Sequence, residues 1–89
     1  MARFEISDAE HGALGGTTTG GDVFFQLGMA YATGRTVPAD RVTAHKWFNI
    51  AAVKGNPEGV RLRREIAQEM DEAEIAAAQR AAREWLGKH

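Results

Sequence analysis

From Asp22 onward the apolar positions recur at helical spacing, and the recurrence divides the chain into four segments. In the first, Phe24, Leu27, Gly28 and Tyr31 share one face, with Phe25, Met29 and Ala32 as a flanking stripe. Asp22 is suited to cap this helix and Gly34 to end it. Val37-Pro38 forms a loop, because proline resists early helix entry. Asp40 then caps a second helix running to about Lys54, whose apolar face carries Ala44, Trp47, Phe48, Ala51 and Ala52. Gly55 stops it. Asn56-Pro57-Glu58 is a fresh start signal, with a cap, a proline at the first helical position and an acid in the first turn. The third helix carries Val60, Leu62, Ile66, Ala67 and Met70. Asp71 followed by Glu74 has the capping-box pattern and opens a fourth helix with Ile75, Ala78, Ala82, Trp85 and Leu86. Gly87 is expected to end that helix, leaving Lys88 and His89 beyond it.

Residues 1–21 lack this periodicity. Gly12, Gly15, Gly16, Gly20 and Gly21 sit there beside Thr17, Thr18 and Thr19, and ordering so much glycine is entropically costly. The alternation Arg3-Phe4-Glu5-Ile6 suits a strand only with a partner strand, which the rest of the chain does not offer. The expected organisation is therefore a flexible leader over 1–21, a helical domain over 22–86 and a C-terminal tail over 87–89. The fold class is all-α, four antiparallel helices joined by short turns.

An offset of 36 residues lays Val23 on Gly59, Phe25 on Arg61, Leu27 on Arg63 and Gly28 on Arg64. This period slightly exceeds the ~34 residues of a tetratricopeptide unit. Leu27-Gly28, Tyr31, Gly34, Val37-Pro38, Asp40, Ala44, Trp47-Phe48, Ala51-Ala52 and Gly55 together resemble one unit of the Sel1-like repeat family, covering roughly residues 22–56. The stretch from Met70 to Trp85 also resembles a segment that often closes bacterial Sel1-repeat proteins. The resemblance implies a short α-solenoid of antiparallel helix pairs that binds other proteins as a scaffold or regulator. Thr36 stands where the family usually has glycine, so that turn is reshaped. Arg63-Arg64 replace Leu-Gly in the second unit, which makes it a cap onto which no third unit stacks. Glycine at 28 and alanine at 51 and 52 suit close helix approach, with Trp47 and Phe48 filling the space between helices.

Composition narrows the function. A chain of 89 residues with net charge −1 has no overall field for nucleic acid or an anionic membrane. It has no cysteine, which excludes disulfides and thiolate metal sites and fits a cytoplasmic setting. No run approaches the ~18 apolar residues of a membrane span, and no signal-peptide pattern is present. His11, His45 and His89 are scattered, and the residue one turn after His45 is Asn49, so no metal site is expected. Gly15–Gly21 lacks the Gly-Lys-Ser/Thr ending of a phosphate loop. No nucleophile, base and orienting group can be assembled, so neither an enzyme nor a cofactor is expected.

The expected partner is a protein. Trp85-Leu86-Gly87-Lys88-His89 joins two large apolar side chains to a short polar ending, a segment suited to capture by a partner. Its likeness to small Sel1-type regulators implies a bacterial ATP-dependent protease such as Lon, for which the chain would act as adaptor, activator or substrate. The alternative is a scaffold joining proteins through the helical faces around Phe25, Met29 and Arg61. A homo-oligomer that covers its own apolar face is a third arrangement. Arg61, Arg63 and Arg64 are balanced by Glu65, Glu69, Asp71 and Glu72, as on a solvated face.

Overall fold

The computed structural model describes residues 20–89, which form four helices: α1 Gly20–Thr33, α2 Arg41–Val53, α3 Pro57–Ala67 and α4 Glu72–Lys88. No strand occurs among the described residues, which are all-α. The expectations for Arg3–Ile6 and for most of the leader lie outside the described residues.

Local chemistry sets the breaks between helices. Gly34 adopts φ 71°, and its N–H donates to the Ala30 carbonyl at 3.0 Å, closing α1. The Asp40 N–H donates to the Tyr31 carbonyl at 3.0 Å, so the start of α2 is held against the end of α1. The Asp40 carboxylate accepts from the Thr43 N–H at 3.1 Å and from the Thr43 hydroxyl at 2.9 Å. These two bonds, the backbone one foremost, hold its carboxyl below the usual value. Gly55 ends α2 at φ 105°. Asn56 then accepts from the Glu58 N–H at 2.8 Å as the cap of α3, and its amide donates to Asp22 of α1 at 3.1 Å. One side chain thus caps α3 and joins it to α1. The α3–α4 turn ends in a reciprocal capping box. The Glu74 N–H donates to Asp71 at 2.8 Å, and the Asp71 N–H donates to Glu74 at 3.0 Å.

Two boundaries differ from expectation. Asp22 is not the cap of α1: the chain is already helical at Gly20, and Asp22 lies in the first turn facing Asn56. Nor does Gly87 stop α4, which continues through Lys88, with the His89 N–H donating to the Trp85 carbonyl at 3.1 Å. A glycine ends a helix when the chain turns left-handed there, and Gly87 keeps ordinary helical φ.

Helix α2 is the centre of the packing. It lies against α1, α3 and α4, and α4 makes its close backbone approach to α2 rather than folding back along α3. Ala44, Phe48, Ile50 and Ala51 of α2 are fully shielded from solvent. Phe25 and Ile66 complete the core, and Phe24, Met29, Tyr31, Leu62 and Met70 pack against it. On α4, Ala78 and Ala82 are one turn apart and fully buried.

The helices approach closely because two crossing points carry no side chain. A Cβ at Gly28 would sit 2.5 Å from Cδ1 of Phe48, and one at Gly59 would sit 2.6 Å from the Phe48 carbonyl oxygen. Phe48 is therefore clasped between α1 and α3, its ring over one glycine and its backbone over the other. The role expected of Gly28 is seen directly, while that of Gly59 was not anticipated.

Candidate interaction surface

The residues expected to meet a partner fall in different surroundings. Phe25, expected on a flanking stripe that meets a partner, is instead a core residue, with its ring 5.7 Å from that of Phe48. Phe24 and Phe25 are neighbours on α1 and leave it in different directions, Phe25 beside the Phe48 ring and Phe24 beside Trp47 and Trp85. Met29 is half-buried against the same core. Arg61 is exposed, but its guanidinium is engaged by Glu58, to which Nε donates at 2.9 Å, and by Glu65 at 3.0 Å. Exposed pairs of this kind contribute little and leave little uncompensated charge for an acidic partner.

Trp85 is the meeting point of three helices. Its ring stands edge-on to Phe24 of α1, at 4.9 Å and 72°, and to Trp47 of α2, at 5.7 Å and 75°. Phe24 and Trp47 lie parallel, 5.6 Å apart. Such pairs each add about 0.5–1.5 kcal/mol beyond the area they bury. The Lys46 ammonium sits 4.3 Å from the Trp47 ring centroid, where the ring face attracts a cation. All three rings are half-buried, so the cluster is both a brace for α4 and part of the surface.

The last turn of α4 extends this surface. Leu86 is half-buried, and Gly87, Lys88 and His89 are exposed. His89 is not loose. Its imidazole stacks on Trp85 at 4.2 Å and 11°, with Nδ1 2.9 Å from the Trp85 carbonyl oxygen. What was expected as a tail beyond a helix is a helix end with an aromatic stack on it. Exposed Val23 on α1 and Val53 on α2 are the large apolar side chains most open to solvent among the described residues.

Sequence reasoning set Phe24 on an apolar helix face and Trp47 between helices, and did not bring either to the Trp85 ring. It also missed His45, which is 2 % exposed, with Nδ1 enclosed and without a hydrogen-bond partner. Burial, and then the nearby Arg63 guanidinium, push its imidazole below the ordinary histidine value. Arg63 donates to Asn49 Oδ1 at 2.7 Å. The only signal for His45 in the sequence was a polar residue beside the apolar face of α2.

No group of three or more metal-ligating side chains occurs among the described residues, and no helix there is long and apolar enough to cross a membrane. Comparison with protein families, curated proteins and solved structures finds no match to this chain.

Proposed function

We propose that this chain is a non-enzymatic protein-binding module, a short Sel1-like solenoid whose partner docks on the aromatic surface at the end of α4. The observation that carries this reading is the half-buried Phe24–Trp47–Trp85 cluster with Leu86, Lys88 and His89 beside it. Aromatic side chains on a rigid helical frame give a partner large contact area at small entropic cost. The partner class is a bacterial ATP-dependent protease such as Lon, on the likeness of residues 22–56 and of the closing residues to Sel1-type regulators, LarA in particular. The protease would read a helix end rather than an extended tail.

The test uses the full chain with purified Lon and a third-party substrate. Intact protein should raise substrate turnover, and deletion of Gly87–His89 should remove most of that stimulation. These three residues are exposed, so the helical domain should stay folded, which circular dichroism checks. Equal stimulation by both forms, or none by the intact chain, would overturn the reading.

The scaffold reading retains one observation, the exposure of Val23 and Val53 at 53 % and 61 %. It no longer has Phe25. It expects Val23→Ser with Val53→Ser to abolish partner capture while loss of 87–89 is harmless.

A further inference from the structure

His45 lies on α2 one turn after Arg41 and one turn before Asn49, and both neighbours are tied to other helices. Arg41 pairs with Glu74 of α4 at 3.5 Å, and Asn49 accepts from Arg63 of α3 at 2.7 Å. The three residues therefore form a polar line along the seam where α3 and α4 rest on α2, with His45 buried in its middle. We propose that His45 is a proton-operated release for this seam: protonation of its imidazole loosens α3 and α4 from α2 and disperses the aromatic surface.

The surrounding charges favour such a response. On α3, Arg63 is the one charged residue that is not fully solvent-facing, and its guanidinium opposes a second cation at His45. On α4 the corresponding residue is Glu74, already committed to Arg41 and to the Asp71 N–H. On α1 the one charged residue is Asp22, held by Asn56 at the far end of α2. On α2 itself, Arg41 and Lys46 are both cations. The facing carboxylates, Glu74 and Asp22, thus already have partners, and a buried cation without one is costly.

The direction of the pH effect follows. The folded imidazole is held below the value of about 6.5 that it has in an unfolded chain. The stability associated with neutral His45 is fully present above that value and is lost as pH falls through the folded one. Trp85 leaves Phe24 and Trp47 when α4 moves, so tryptophan emission reports the release. This proposal does not depend on which protein docks.

The experiment follows urea unfolding of the full chain between about pH 7.5 and about pH 5.0, above the range where most carboxylates titrate. Tryptophan emission and far-ultraviolet circular dichroism are read together. The wild type should lose midpoint as pH falls, with emission changing before helicity. His45→Phe should hold its midpoint level, whereas His89→Ala should keep the wild-type loss. An NMR titration of the wild type should show the His45 imidazole titrating below free histidine, and Arg63→Met should move it upward. A level wild-type midpoint, an undiminished loss in a folded His45→Phe, or a His45 that titrates at the free value would each overturn the proposal. Should His45→Phe not fold, the wild-type NMR titration decides.

Discussion

At the scale of single residues, Gly28 and Gly59 leave no room for a Cβ beside Phe48. Alanine is intrinsically the better helix former, by roughly 1 kcal/mol over glycine. At both positions steric overlap should win. Gly28→Ala forces a fully buried ring to move, an overpacking cost of about 1–3 kcal/mol. Gly59→Ala meets backbone, at 2.6 Å from the Phe48 oxygen and 2.8 Å from the Ala52 nitrogen, so α3 must lift from α2 and the loss should be the larger. Urea midpoints of the two variants check both the sign and the order. Arg61→Ala is the contrast. Its partners and its own side chain are exposed, and stability should stay within about 0.5 kcal/mol of wild type. The Gly28 contact was legible in the sequence, because a glycine amid an apolar helical face suggests close approach. The choice of Phe25 over Phe24 for the core was not, since adjacent aromatics on one helix are distinguished only by what the neighbouring helix brings. His45 was illegible for a related reason: the helical pattern does not show which neighbours cover a polar residue beside an apolar face.

At the scale of elements, most boundaries could be read from short-range chemistry. Asp40, Asn56-Pro57 and the Asp71–Glu74 pair cap the helices they were expected to cap, because a cap is decided within three residues. Asp71→Ala should cost about 0.5–2 kcal/mol and raise amide exchange first at Glu74. The ends of α1 and α4 were misread where the deciding contact is distant. Asp22 is drawn to Asn56 across the fold, and Gly87 continues a helix whose final turn carries the His89–Trp85 stack. A Cβ at Gly87 would meet nothing within 4 Å. Gly87→Ala should therefore stabilise the last turn of α4 by up to about 1 kcal/mol, seen as slower amide exchange at Lys88 and His89.

At the scale of the whole molecule, α2 organises everything, and the arrangement of α4 could not be read from the sequence. A short turn suggested that α4 would return along α3, yet it packs on α2, where Ala78 and Ala82 allow close approach and Trp85 finds Phe24 and Trp47. That placement brings Phe24 and Trp47, both half-buried, together with Trp85 beside the last turn of α4. The most direct test of its function is an NMR map of the isotope-labelled full chain titrated with Lon. Signal loss or shift should concentrate at Trp85–His89 and at the Phe24 and Trp47 rings. Changes confined to the Val23, Val53 or Arg61 surfaces, or none at all, would contradict the account.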